Sequence, residues 1–214
     1  FQRMELVNAT PVAAEIASTL GESAPHAVER NIRFPRIDGP QTPEIRRFNE
    51  LVAQQPQFGL EDATNESVDY VIAYAGAELI SVKFIISADA LGAANSTTTM
   101  RAVTVVMADG GRPLTAADVF TADSGWQDFI TARAVQEIAR EFPDYPNFPP
   151  RRDVYETATK SHLWLVTERG LVLMFPPLSF GGSHADGGVE VTIPWTDLRP
   201  YLNPAAPAPI RPAV

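Results

Sequence analysis

Cysteine is absent from the 214 residues, which excludes disulfides, thiolate metal sites and a cysteine nucleophile. Histidine is scarce: His26, His162 and His184 are the whole supply of imidazole for a zinc site or for the base of a nucleophile. Basic charge is outnumbered, with 17 Lys plus Arg against 26 Asp plus Glu and a net charge of −9, so no nucleic-acid partner is expected. There is no run of about 18 apolar residues, and direct membrane insertion is not expected either. Gly-rich phosphate loops and the His-Glu-x-x-His pattern are missing. Asp118, Asp123 and Asp128 lack the ligand spacing and central glycine of a calcium loop, so no cofactor or metal is expected. The chain begins at Phe1 rather than Met; the expectation is that a signal or anchor, or other upstream sequence, preceded it.

What the chain does have is the 45% apolar and 20% charged composition of a globular protein, punctuated by 19 prolines. Four prolines lie in the stretch Phe142-Pro-Asp-Tyr-Pro-Asn-Phe-Pro-Pro-Arg-Arg152, which reads as a structured connector between a helical pattern and a strand-like one. Tyr145 and Phe148 of this stretch could stack on sugars, but packing against the connector is the simpler role. Four more prolines lie in residues 203–214, which read as an extended, solvated tail because proline supplies no backbone donor.

Between these markers the hydrophobic periods are legible. Ile45, Phe48 and Val52 recur at helical spacing, with Thr42 placed to cap and Pro43 at the first helical position. A second helix is predicted over 124–142, with Ser124 to Gln127 as its capping box and Ile130, Ala134, Ile138 and Phe142 on one face. Val68, Tyr70, Ile72 and Tyr74 alternate, Ala75-Gly-Ala77 turns the chain, and Ile80, Val82, Phe84 and Ile86 alternate again. Further strands are expected over Met100 to Met107, in a hairpin from Leu163 to Phe175 that turns at Glu168-Arg-Gly170, and at Val189, Val191 and Ile193. The predicted fold is α+β: mainly antiparallel sheets built from hairpins, with two principal helices packed on them. Residues 1–27 form a partly ordered N-terminal segment, 28–202 one module with subregions about 28–90 and 91–202, and 203–214 the Pro-rich tail.

Candidate chemistry centres on Phe180-Gly-Gly-Ser-His-Ala-Asp-Gly-Gly188, a loop between two strands that is rich in glycine. Ser183, His184 and Asp186 are the residue types of a hydrolase triad, but triad members converge from separated elements beside an oxyanion hole, so ligand contact suits this loop better than catalysis. His162, at the expected start of a strand, reads as a structural histidine and His26 as a solvated one.

Several stretches, in order, carry a family likeness. They are Phe34-Pro-Arg-Ile-Asp-Gly39, Phe48-Asn-Glu50, Asp109-Gly-Gly-Arg-Pro-Leu-Thr-Ala-Ala-Asp-Val-Phe120, Thr167-Glu-Arg-Gly-Leu-Val-Leu-Met-Phe-Pro-Pro177 and Glu190-Val-Thr-Ile-Pro-Trp-Thr-Asp-Leu-Arg-Pro-Tyr-Leu202. Together they resemble the RsiV-like extracytoplasmic domain family, a domain of unknown function shared with a lysozyme-responsive anti-sigma factor and with the non-catalytic region of a peptidoglycan deacetylase. The resemblance implies a non-enzymatic recognition domain of the cell envelope or a secreted one. It further implies a periplasmic, lipid-anchored or secreted location, and a lysozyme, another envelope protein or a peptidoglycan fragment as partner. This chain departs from the family at Asn95, where the family carries a histidine, and through residues 177–188. Asn95, Phe180, Ser183, His184 and Asp186 are therefore the ligand-contact candidates, with no catalytic and no metal residue. The competing expectations are an envelope hydrolase using Ser183 or His184, and an assembly module that pairs through a sheet edge.

Overall fold

The computed structural model describes residues 4–8, 29–54, 63–90, 97–143, 148–177, 179–180 and 188–211. In chain order the strands and helices are β1 (Met4–Asn8), β2 (Glu29–Ile37), α1 (Pro43–Ala53), β3 (Ala63–Ala75), β4 (Leu79–Ala90), β5 (Thr97–Val106) and β6 (Arg112–Pro113). They continue as α2 (Ala116–Val119), α3 (Trp126–Glu141), α4 (Arg151–Ala158), β7 (Trp164–Val166), β8 (Gly170–Phe175), β9 (Val189–Pro194) and α5 (Trp195–Leu198). The strands β1 to β6 form one six-stranded sheet in sequence order, and β7, β8 and β9 form a second. All pairings are antiparallel except β2 with β3, so the α+β architecture and its hairpins stand as read from the alternating patterns.

Alternation decides which layer touches which. Along β4, Ile80, Val82, Phe84 and Ile86 point to α1 and pack with its Phe48 and Val52. Ser81 and Lys83 point the other way, toward the second sheet, where Ser81 Oγ accepts from the Val166 N–H at 3.0 Å and Lys83 pairs with Glu190. Strand β8 is covered on both faces, which is why Gly-Leu-Val-Leu-Met-Phe reads as an unbroken apolar run. Leu171, Leu173 and Phe175 meet Ile130, Ala134 and Ile138 of α3, while Val172 and Met174 meet Met100 and Ala102 of β5. The order of layers is thus α1, the large sheet, the small sheet, then α3 with α4.

The stretches that carry the family likeness are mostly clamps. Asn49 accepts from the Ile37 N–H and donates to the Ile37 carbonyl, fixing α1 to the end of β2. Arg112 holds Asp118 through two bonds of 2.7 and 2.5 Å, and Asp118 also accepts from the backbone and hydroxyl of Thr115. Phe120, which follows, stacks on Trp126 at 4.4 Å and meets Trp164 edge-on at 5.6 Å. Gly111, at φ +82, lies so close to Glu44 that a side chain there would press on α1.

Four expectations are corrected, and one strand is added. The stretch after the connector is helical, not strand-like, because Val154, Thr157 and Ala158 bury one face of α4. Strand β2 was not anticipated; its first half pairs with β3 and its second half with β1. No capping box starts α3: Gly125 takes the cap position at φ +80, and the Ser124 hydroxyl donates to the Thr121 carbonyl instead. His162 sits in a 3-10 turn, Ser161–Leu163, rather than in a strand. The tail, through Arg211, lies on the body: Ala206 and Ile210 are buried, Asn203 donates to the Val119 and Ala117 carbonyls, and Arg211 pairs with Glu78 at 3.0 Å. Its prolines preset tight turns, and the remaining N–H groups close them, as from Ala206 to the Asn203 carbonyl and from Ile210 to that of Pro207.

Candidate functional site

Of the ligand-contact candidates, Phe180 alone falls among the described residues. Asn95, Ser183, His184 and Asp186 lie outside them, as do His26 and Tyr145. Phe180 is half-buried, with its ring 5.2 Å from Phe175 and 5.6 Å, edge-on, from Phe148, which in turn meets Phe142 at 5.3 Å. These four rings tie the ends of the Pro-rich connector and of the Gly-rich loop to one corner of the core. At the far end of that loop, a Cβ at Gly188 would meet the tip of the Met100 side chain of β5, which would have to shift.

A different place emerges from the sheet itself. Strands β2 and β3 are paired only over four positions, Glu29 to Ile32 against Asn65 to Val68. From there β2 turns to β1, and the outer flank of β3 over 69–75 has no ladder partner among the described residues. The Tyr70 N–H is taken by the Asp69 side chain at 2.9 Å, the register shifts between Ile72 and Tyr74, and Val71 stands 52% exposed. A charge beside the strand and a bulge within it are the usual guards of an open edge.

Beside this flank lies a cleft of about 730 Å³, with Ile72, Tyr74 and Ala75 on one wall and Thr167, Glu168, Arg169 and Thr192 on the other. The opposing wall is held firmly. The Thr167 hydroxyl donates to the Gly170 carbonyl and accepts from the Gly170 N–H, Trp195 Nε1 donates to the Thr167 carbonyl at 2.9 Å, and Gly170 leaves no room for a Cβ against Ile193. Sequence reasoning saw the Glu168-Arg-Gly170 turn and the strand, but not that they face one another. The adjacent apolar pair Val71-Ile72, which breaks the alternation, was the signal available.

A second, smaller pocket of about 270 Å³ lies on the opposite flank, lined by Leu51, Arg101, Val103, Pro113, Leu114, Ser161 and His162. Burial lowers the pKa of Arg101, and burial, followed by the charges of Lys160 and Arg101, lowers that of His162. His162 is accordingly neutral at pH 7. Among the described residues no group of three or more His, Cys, Asp or Glu is placed to hold a metal ion, and no helix is long and apolar enough to cross a membrane.

No family model matches the chain, and no curated protein sequence does. The fold is nevertheless found in solved structures. A DUF3298 family member from Bacteroides fragilis is similar at a TM-score of 0.60, with 13% identity over 94% of each chain. A DUF3298 family protein from Pseudomonas aeruginosa is similar at a TM-score of 0.62, with 12% identity over 100% of this chain and 99% of the other. At such identities the likeness is one of architecture, and it extends over nearly the full length of all three chains: this protein has the α+β fold of DUF3298 domains, whose function is unknown.

Proposed function

We propose that this chain is a non-enzymatic recognition domain of the cell envelope or of the secreted space, and that it receives an extended segment of a basic protein partner along the open flank of β3. The observation that carries the reading is the exposed, bulged strand edge over 69–75 beside a cleft large enough for several side chains. Charge supports the class of partner: the chain carries −9 overall and Asp69 borders the flank, while Glu168 and Arg169 both line the cleft. Opposite net charge accelerates encounter, and a basic segment satisfies the carboxylates. The resemblance to the RsiV-like family supports an extracytoplasmic setting and makes a lysozyme, which is commonly basic, the first partner to try.

Calorimetry against lysozyme at low and moderate salt, on the wild type and on Val71→Lys, tests the reading. Saturable binding that weakens with salt and falls at least tenfold in Val71→Lys is expected. No heat and no co-elution with lysozyme at high micromolar concentration would remove this partner, and binding that Val71→Lys leaves unchanged would remove the β3 flank as its site. Hydrolysis of a generic ester that His184→Ala abolishes would replace the recognition reading with the hydrolase.

A further inference from the structure

The open flank of β3 has an end as well as an edge, and the two differ in chemistry. The Gly76 N–H donates to the Leu79 carbonyl at 2.9 Å, so alternation along β4 turns the Ser81 and Lys83 backbone groups toward β3 as well. Val71 stands opposite Lys83 and directs its backbone groups to β4, while Tyr70 and Ile72 on either side direct theirs to the open flank. The Tyr70 N–H is taken by the Asp69 carboxylate at 2.9 Å; the Tyr70 carbonyl and both backbone groups of Ile72 have no partner among the described residues. The track beside them is closed at the β2 end. Strand β2 fills it as far as Ile32, opposite Val68, and from Arg33 onward pairs with β1, so β2 and β3 part as a fork with Asp69 and Tyr70 at its apex. Burial, then the charge of Asp69, raises the pKa of the Tyr70 phenol, and Arg33 on the other prong acts against them. No ion pair joins Arg33 to Asp69 among the described residues, so the carboxylate stands uncompensated on the strand edge.

We propose that the segment received on β3 is the free amino terminus of the partner, running parallel to β3 with its α-ammonium at the apex of the fork. This rests on the reading of the β3 flank as a recognition edge, and adds to it a direction and a chain end. A strand that continued past the apex would run into β2 or leave the sheet, so a chain end fits where a passing strand does not. Charge at the apex decides which end. An ammonium has donors for the Asp69 carboxylate and the Tyr70 carbonyl together, whereas a terminal carboxylate would bring a further acceptor to two acceptors. In the parallel register the first residue of the segment lies opposite Val71. Its ammonium donates to the Tyr70 carbonyl and to Asp69, its carbonyl accepts from the Ile72 N–H, and the N–H of the third residue donates to the Ile72 carbonyl. The first and third side chains then stand on the Val71 face, which is turned to the second sheet as Lys83 is, and the side chain between them stands on the α1 face.

The test is titration of the full chain, followed by amide chemical shifts, with the peptide Lys-Val-Thr-Val-Arg-Lys amidated at its C-terminus, once with a free and once with an acetylated amino terminus. Shifts should concentrate between Tyr70 and Ala75. Acetylation removes the ammonium and sets a carbonyl against Asp69, so it should weaken binding by about fivefold or more. Asp69→Asn keeps an oxygen for the Tyr70 N–H and removes the charge. It should weaken the free-amine peptide several-fold and leave both the acetylated peptide and the melting temperature unchanged. Equal affinity of the two forms, each weakened by Val71→Lys, overturns the amino-terminal assignment and leaves the edge standing. Affinity that Val71→Lys does not change overturns the edge, and this inference with it. Tighter binding of an acetylated peptide with a free C-terminal carboxylate places the other chain end at the fork and overturns the proposal too. The same follows from an absence of shifts with either form at millimolar concentration, whatever lysozyme does.

Discussion

At the end of β5, over Thr104 to Val106, the outer backbone of the large sheet is taken up: β6 pairs with Val105 and Val106 and the Leu114 N–H donates to the Thr104 carbonyl, while the Ser161–Leu163 turn lies beside the strand. Along β3, beyond Val68, no described strand continues, and the edge is held in check by Asp69 and a bulge instead. The closed flank is joined to the second sheet through buried hydroxyls. Ser81 and Thr104 meet at 2.8 Å, Thr104 donates to the Trp164 carbonyl, and Ser81 accepts from the Val166 N–H. Among the described residues the open flank faces the turn residues Thr167, Glu168 and Arg169, with Val172 and Thr192, across a cleft. One sheet therefore uses its polar groups for assembly at one side and leaves backbone groups without a ladder partner among the described residues at the other, and this asymmetry is the reason for proposing the β3 flank as the recognition edge.

The comparison breaks first, and most, if the closed flank is emptied. Trp164 is fully buried, donates from Nε1 to the Ala158 carbonyl at 2.6 Å, and meets Phe120 and Trp126 edge-on at 5.6 Å each. Trp164→Ala should cost about 3–5 kcal/mol, the range for a large core truncation, read as a lower urea midpoint at unchanged slope. A loss under about 1 kcal/mol would mean that the sheets are not joined through this residue.

Next comes the hydroxyl seam. Thr104→Val keeps the shape but leaves the Trp164 carbonyl and Ser81 without that partner, at a cost of about 1–3 kcal/mol. The paired change Ser81→Ala with Thr104→Val should cost less than the two single costs added together, because one shared bond is lost only once. Simple additivity would show that the two hydroxyls act independently.

Asp118 gives a smaller effect with a defined pH window. Burial raises its pKa, but the bonds from Arg112 and from the Thr115 backbone and hydroxyl outweigh burial and hold it at about 2, below the usual 3.8. A carboxyl depressed in the folded state stabilises above its unfolded value and loses that contribution as the pH falls toward its folded value. Arg112 is 42% exposed, so screening leaves on the order of 1 kcal/mol. The wild type should lose this between about pH 5 and pH 2 relative to Asp118→Asn, and parallel melting curves for the two proteins across that window would contradict it.

How much of this could be read from the residues depends on whether the determining contact is local. The hairpins and α1 were legible because alternation, the Thr42 cap and Pro43 act within a few positions, and Val191 and Ile193 faced the core as their spacing required. The helix α4 was not, since its buried face of Val154, Thr157 and Ala158 is short and weakly apolar and is fixed by the core it meets. The tail was misread because its prolines speak for extension, whereas Ile210 and the Arg211 pair with Glu78 dock it across 133 positions. The β3 cleft has the same character. Its walls are 95 or so positions apart, and no local pattern joins Ile72 to Thr167. Of the loop residues selected for composition, Phe180 proves to be an anchor of the aromatic corner.

Val71→Lys carries the smallest expected change in stability and the sharpest consequence for the comparison. Val71 is 52% exposed, on a strand flank with no ladder partner among the described residues, so replacing it removes little buried area and should shift stability by less than about 0.5 kcal/mol. A lysine on an edge strand blocks the approach of another backbone and repels a basic segment. Partner affinity should then fall while the melting temperature stays within about 2 °C of the wild type. If the variant instead melts several degrees lower, Val71 is covered by the protein itself and the β3 flank is as closed as the β5 flank. Unchanged melting with unchanged partner affinity would leave the two flanks different in structure but not in use.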